Sequence, residues 1–245
     1  QMGRFNPSSA KVPNMGLSRS AFWIRFRVFN SGQDRSQFIS IPNPEIELID
    51  TYIKLPNNSI IHQSGGQRRS MEKWTRKDLD YTIGYILLPQ NEATVYIRIQ
   101  SNKQIQIPIY TGNTNATLSK LSFRDTFAGA YVGLMIVMLL YNLFIFISTK
   151  DKDYILYVLY VLLVGLTQSN FLGICKLYIW ENQNLWSTKA SIILTIITAI
   201  VANIFMQQFI DAKKHSPILV KFSLLFYNTL GIGFFLKVTV APLLG

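Results

Sequence analysis

The first half of the chain alternates apolar and polar residues with the two-residue period of a β-strand. In AFWIRFRVFN (21–30), Phe22, Ile24 and Phe26 share one face of the predicted strand, and arginines lie on the other face. Short breaks rich in Gly, Pro and Asn separate this strand from its successors, a spacing that is typical of an all-β sandwich. The other predicted strands cover 38–41, 46–55, 82–89, 93–101 and 105–112.

The second half carries four long apolar windows instead. They lie at 127–147, 155–175, 190–210 and 218–236. The first three windows hold no charged residue, and a helix needs about 20 apolar residues to cross the hydrocarbon core of a bilayer. Because a soluble core helix of this length would show a polar face, the windows predict four transmembrane spans. A buried helical core is the alternative.

Composition supports two modules, one surrounded by water and one by lipid. The whole chain is 49% hydrophobic and only 15% charged, with a net charge of +11. Residues 1–120 carry 15 Lys and Arg against 8 Asp and Glu, whereas residues 121–245 carry 9 against 5. We therefore predict a β domain over 1–118 and a helical membrane domain over 119–245. Basic residues are equally frequent on both sides of the predicted spans, so charge leaves their orientation open.

Three predicted strands place aromatic and charged side chains together on the face opposite the apolar one. A flat aromatic ring beside hydrogen-bonding groups suits a sugar, whose apolar face stacks while its hydroxyls bond to the polar groups. A solvated outer sheet face tolerates the same residues and is the alternative. The candidate ligand-binding residues are Trp23, Arg25, Arg27, Asp50, Tyr52, Tyr96 and Arg98.

A polar loop over 64–78 is the most basic stretch of the first half. It is a candidate contact for anionic headgroups or an acidic ligand, and a plain solvated loop is the alternative. No recognition motif accompanies this charge, so we expect no nucleic-acid partner. Its basic residues are Arg68, Arg69, Lys73, Arg76 and Lys77, with Trp74 among them.

Catalytic and metal-binding patterns are absent from the sequence. His62 and His215 are the only histidines and are far apart, and Cys175 is the only cysteine. No phosphate-binding glycine loop or nucleophile elbow occurs. We therefore expect no catalytic residue, no metal site, no cofactor and no enzyme activity. Polar residues within the spans, such as Asn142 and Asn203, are interpreted as interhelical hydrogen-bonding residues.

Several segments in combination resemble the bacterial seven-transmembrane receptors with diverse intracellular signalling modules. AFWIRFRVFN, IDTYIKL (49–55) and VYIRIQS (95–101) precede GAYVGLMIVMLLYNLFIFISTKDKDYILYVLYVL (129–162), which is the strongest match. The resemblance implies a jelly-roll sensor domain outside the bacterial cytoplasmic membrane, binding carbohydrate or another small ligand. It also implies that residues 1–124 lie outside and that the KDKD and AKKH turns lie inside.

The family also implies seven helices and then a cytoplasmic output domain, such as a histidine kinase, a diguanylate cyclase or a phosphatase. We expect this chain to be a truncated form that stops after about four spans, with any output domain missing. A homodimer is compatible with such a receptor. The implied partners are thus a small-molecule ligand and the lipid bilayer.

Two other functions fit the same pattern. A transporter or export component would use the β domain to capture a substrate, and a membrane scaffold would use it to hold a periplasmic partner. The absence of charge within the first three windows argues against ion-coupled transport. The coding sequence after Gly245 would separate the three functions, since only the receptor requires a signalling domain.

Overall fold

The computed structural model describes residues 5–8, 10, 12–71, 77–180 and 184–210. The chain divides into two compact units. The first unit contains Gln1–Ala130 and Ser169–Ala190, and the second contains Tyr131–Gln168 and the residues that follow Ala190. The first unit therefore combines the whole β domain with the start of one helix and the connection between two others.

The β domain forms antiparallel sheets. One sheet has four strands in the order β2-β7-β4-β5, another has three in the order β6-β3-β9, and β1 pairs with β8. All six predicted strands are confirmed, although 105–112 divides into two strands, and two further strands were not predicted. The strands are β1 (Asn14–Leu17), β2 (Phe22–Phe29), β3 (Ser36–Ile41), β4 (Leu48–Lys54), β5 (Ile60–Gly65), β6 (Tyr81–Ile86), β7 (Glu92–Gln100), β8 (Gln104–Gln106) and β9 (Tyr110–Asn113).

A single apolar core lies between the four-stranded and three-stranded sheets. Ile39 of β3, Ile53 of β4, Ile83 of β6 and Ile97 of β7 are all fully buried in it. These residues occupy alternate positions of their strands, so each strand directs its other residues away from the core. The predicted β-sandwich is confirmed, and the jelly-roll connectivity stays a prediction.

Residues 66–69 leave β5 in a tightly held turn. Gly66 has φ of 105°, and a Cβ there would lie 2.4 Å from the carbonyl oxygen of Glu47. The Gln67 amide donates to the Ile46 carbonyl at 2.8 Å, and the Arg68 amide donates to the Glu47 carbonyl at 3.0 Å. Only glycine fits the left-handed conformation and the close backbone approach.

The β domain continues into the first membrane helix without an intervening loop. β9 ends at Asn113, and helix α1 (Thr114–Thr149) begins at the next residue. The Asn113 side chain accepts the Ala116 amide at 3.0 Å, which caps the helix, and donates to Asp34 at 2.8 Å. The stretch SKLSFRDTF (119–127), which leads into the first predicted span, is thus the second to fourth turns of a 36-residue helix.

A buried ion pair joins α1 to the β domain within the first unit. Asp80, just before β6, is 2% exposed and pairs with Arg124 of α1. Arg124 Nη2 also donates to the Leu172 carbonyl at 3.0 Å. Burial raises the pKa of Asp80 from 3.8 to about 6, because desolvation outweighs the opposing effect of the Arg124 guanidinium.

Three of the described helices are long and apolar enough to cross a membrane. They are α1, α2 (Lys152–Phe171) and α4 (Asn184–Phe209), whose apolar part begins at Lys189. The short helix α3 (Ile174–Tyr178) follows α2, so α2 ends before the predicted boundary at Cys175. The predicted span at 218–236 lies outside the described residues.

Threonines and aromatic rings link α2 and α4 in the second unit. Thr167 and Thr198 share a hydrogen bond of 2.8 Å, and the Tyr160 and Phe205 rings stack 5.7 Å apart. Asn142 donates to the Met138 carbonyl of its own helix, and the interhelical role predicted for it stays a prediction. Asn203 likewise accepts from Gln207 one turn later. Each of these side-chain amides therefore has a hydrogen-bond partner within its own helix.

Replacing Gly66 with alanine should strongly destabilise the β domain. The new Cβ would collide with the Glu47 backbone and strain a positive φ, at a cost of about 3 kcal/mol or more. The measurement is the thermal unfolding midpoint of the full chain in detergent micelles. Gly32→Ala is the matched control, because its Cβ would meet no atom closer than 3.6 Å. Equal midpoints for the two variants would contradict the assignment.

Asp80 should make stability depend on pH. The folded state holds the Asp80 proton to higher pH than the unfolded chain does. The contribution of the protonated Asp80 to the free energy of unfolding is therefore complete below about pH 4 and is lost as the pH rises through about 6. Between pH 4 and pH 7, wild type should lose about 2–3 kcal/mol relative to Asp80→Asn, which cannot ionise. If the thermal unfolding midpoints of the two proteins change in parallel across this pH range, the raised pKa is refuted.

Candidate ligand-binding face of the β domain

All seven predicted site residues lie on one face of the four-stranded sheet. The strand register aligns them in rows across β2, β7, β4 and β5. Arg27 of β2 begins a third row, beside Thr94 of β7. This face is opposite the buried core, so its side chains do not pack into that core. The first row is Trp23, Arg98, Asp50 and Ser64, and the second is Arg25, Tyr96, Tyr52 and His62.

Three rings form a stacked series across this face. The Trp23 and Tyr52 rings are 6.0 Å apart with an interplanar angle of 25°, and the Tyr52 and His62 rings are 4.4 Å apart at 7°. Trp23 is 49% exposed. Because the Tyr52 and His62 rings face one another, a ring of a ligand could stack at the partly exposed Trp23 end of the series.

Asp50 is a buried acid of this face. It is 6% exposed, and its carboxylate contacts both guanidinium nitrogens of Arg69, the Nη2 contact being 3.2 Å. Arg98 Nη1 and His62 Nε2 each lie 3.5 Å from its oxygens. A buried carboxylate is tolerated only with such partners. Asp50 therefore positions Arg69, Arg98 and His62, which are more exposed.

The arginines are partly accessible from solvent. The Arg98 and Arg69 side chains are 29% and 33% exposed. Arg98 Nη2 also donates to Gln100 at 2.7 Å, which holds the guanidinium plane. Arg27 is 73% exposed and pairs with Glu92 at 3.3 Å, so this pair adds little stability.

Phe5 covers part of the second row. Its ring lies 6.4 Å from the Tyr96 ring, and the Arg25 guanidinium lies over it at 4.8 Å from the centroid. Arg25 thus makes a cation–π contact. Arg69 and Arg98 contact the Asp50 carboxylate, Arg27 pairs with Glu92, and Arg25 adds a further guanidinium, so the face is electropositive.

Sequence reasoning missed His62 and did not place Arg69 on this face. IIHQSG does not alternate apolar and polar residues as the other strands do, so β5 was not predicted and His62 had no assigned face. The buried side of β5 is instead held by polar contacts: Gln63 donates to the Thr82 carbonyl at 3.0 Å, and Tyr81 donates to the Gln63 carbonyl at 2.8 Å. Burial raises the pKa of Tyr81, which keeps its hydroxyl a donor.

Arg69 was predicted only as one of five basic residues of a loop. Of those five, Lys73 and Arg76 lie outside the described residues, as does Trp74. Across the described ranges, no group of three His, Cys, Asp or Glu side chains is arranged to hold a metal ion.

Two family models match the chain. Residues 1–112 match the model described as 7TMR-DISM extracellular 2, and residues 124–244 match the model described as 7TM diverse intracellular signalling. No curated protein matches the chain. Both models describe parts of membrane sensory receptors with an extracellular domain, and each matches the half of the chain with the corresponding fold. The chain therefore belongs to the family of seven-transmembrane receptors with diverse intracellular signalling modules.

Proposed function

We propose that the β domain binds a small extracytoplasmic ligand of the carbohydrate class on the face that carries Trp23, Tyr52 and Arg98. The observation that carries the proposal is the stacked series of Trp23, Tyr52 and His62 beside the partly exposed Arg98 guanidinium. A pyranose ring has apolar faces that can stack on such rings, and its hydroxyls accept hydrogen bonds from the arginine.

The charge of the face favours an acidic saccharide over a neutral one. The guanidinium groups of Arg69 and Arg98 contact the Asp50 carboxylate, which is buried beneath them, and Arg25 adds a positive charge in the second row. Arginine binds a carboxylate through two parallel hydrogen bonds, a stronger and more directional contact than a hydroxyl makes. Uronic-acid oligosaccharides combine the required ring and carboxylate. Asp50 serves in this proposal as a positioning residue, and Arg98 and the aromatic rings contact the ligand.

The proposed receptor transmits ligand binding to the membrane helices and, through them, to a cytoplasmic output domain. The support is the direct continuation of β9 into α1, with Asn113 belonging to both the strand and the helix cap. Because α1 begins at the residue that follows β9, no flexible linker separates the two, and a shift of β9 must move the start of the helix. Ligand binding would then bias a two-state helical bundle.

Removing the Arg98 side chain should weaken binding of an acidic saccharide. The probes are a galacturonic-acid trisaccharide and the neutral galactose trisaccharide, measured by calorimetry with the full chain in detergent micelles. We expect the acidic probe to bind more tightly, and Arg98→Ala to reduce its affinity by about 1–3 kcal/mol through loss of a charged hydrogen bond. Arg35→Ala, which removes an exposed arginine next to the other sheet, is the matched control.

Two further variants test the aromatic surface in the same experiment. Trp23→Ala and Tyr52→Ala should each weaken both probes, because stacking does not depend on the charge of the saccharide. The proposal fails if neither probe binds, or if Arg98→Ala, Trp23→Ala and Tyr52→Ala all bind as wild type does.

The proposed orientation can be checked by cysteine labelling in intact cells. In a Cys175→Ser background, Lys152→Cys at the start of α2 should react with a membrane-impermeant maleimide only after permeabilisation. Asn102→Cys, an exposed position of the β domain, should react without it. Labelling of both positions in intact cells would contradict a cytoplasmic KDKD turn.

A further inference from the structure

Residues 66–69, which we call the coupling segment, contact both the ligand-binding face and the connection between two membrane helices. The Arg69 side chain lies against Asp50 on the face. The Arg69 backbone carbonyl accepts a hydrogen bond of 3.0 Å from Lys176 Nζ of α3. One residue therefore makes contacts with two places that are far apart in the sequence, and both contacts lie within the first unit.

Lys176 holds the connection after α2 against the coupling segment. Its Nζ also donates to the Gln67 carbonyl at 3.0 Å, and the residue is 8% exposed. A buried ammonium group is costly unless several acceptors surround it, so Lys176 must keep these carbonyls close. Gly173 lies beside it with φ of 85°, and a Cβ there would be 2.9 Å from the Leu79 carbonyl oxygen. The absent side chain permits this close packing.

The coupling segment has little freedom to absorb a displacement. The amides of Gln67 and Arg68 bond to Ile46 and Glu47 at 2.8 and 3.0 Å, and the Arg69 amide donates to the Gly66 carbonyl at 3.2 Å. A change in how the Arg69 guanidinium is held is thus carried along a restrained backbone to the carbonyl that Lys176 binds.

We propose that Asp50, Arg69 and Lys176 form a coupling route that links occupancy of the ligand-binding face to the end of α2. This inference rests on the proposed function for its biological meaning. An acidic ligand competes with Asp50 for the guanidinium groups of Arg69 and Arg98, which changes the Arg69 contact. Lys176 then relocates with α3, and it lies five residues after Phe171, the last residue of α2. Coupling of this kind is reciprocal, so changes at Lys176 must also reach Arg69.

The route is testable without any ligand, by hydrogen exchange of the full chain in lipid nanodiscs. Asp50→Asn removes the charge that holds Arg69 and leaves the shape of the side chain. The amides of Leu177, Ile179 and Trp180, which bond within the α3 region, should exchange about tenfold faster. Glu92→Gln is the matched control, because Glu92 is an acid of the same sheet that pairs with Arg27.

Arg69→Gln is the second variant and serves if Asp50→Asn does not fold. It removes the guanidinium and keeps the carbonyl that Lys176 binds, and it should raise exchange at the same three amides. In the reciprocal measurement, Lys176→Met should raise exchange at the Arg69 amide. The proposal is overturned if a folded Asp50→Asn or Arg69→Gln variant leaves Leu177, Ile179 and Trp180 unchanged, or if Glu92→Gln changes them equally.

Failure of this inference is distinguishable from failure of the proposed function. Saccharide binding is measured by calorimetry, whereas the coupling route is measured by exchange in the absence of saccharide. If the saccharides do not bind and the exchange rates change as expected, the route stands and the ligand class is wrong. If they bind and the exchange rates do not change, the ligand class stands and the route is wrong.

Discussion

A buried carboxylate needs cationic partners, and this constraint at Asp50 organises the outer face of the four-stranded sheet. Asp50 lies in the centre of the sheet on β4, between β7 and β5. Its partners must therefore come from both neighbouring strands and from the turn after β5. Arg98, His62 and Arg69 fill these places. The arrangement keeps guanidinium groups beside the aromatic rings, where a ligand can reach them.

Burial imposes a second constraint, where the β domain meets the helices within the first unit. A polar group buried there is costly unless it has a partner in the protein. Asp80 with Arg124, and Lys176 with the carbonyls of Gln67 and Arg69, meet this requirement inside the first unit. The same contacts attach α1 and α3 to the β domain. Satisfying buried polar groups and connecting the sensor to the helices are thus done by the same residues.

The sequence predicted the fold better than the partners of individual side chains. Strands with regular alternation, such as 22–29 and 92–100, were predicted because one face of each is apolar. β5 was missed because IIHQSG has no such alternation, and its inner face carries Gln63. The first predicted span began at 127, whereas the helix begins at Thr114, where Asn113 caps it. The amides of Asn142 and Asn203 bond within their own helices, which hydropathy alone does not reveal.

The sequence by itself determined the division into a β domain and apolar helices, the outer face of β2, β4 and β7, and the family. The pleat of a strand sets a two-residue period, and the thickness of the bilayer sets the length of an apolar helix. Both are local properties of the chain, so they are visible in a single sequence. Only the tertiary structure decided that Tyr52 stacks on His62, that Asp50 holds Arg69 and that Lys176 binds the Arg69 carbonyl. Arg69 and Lys176 are separated by 107 positions in the sequence. Such contacts depend on strand order and on how the connection after α2 packs, and neither leaves a local pattern.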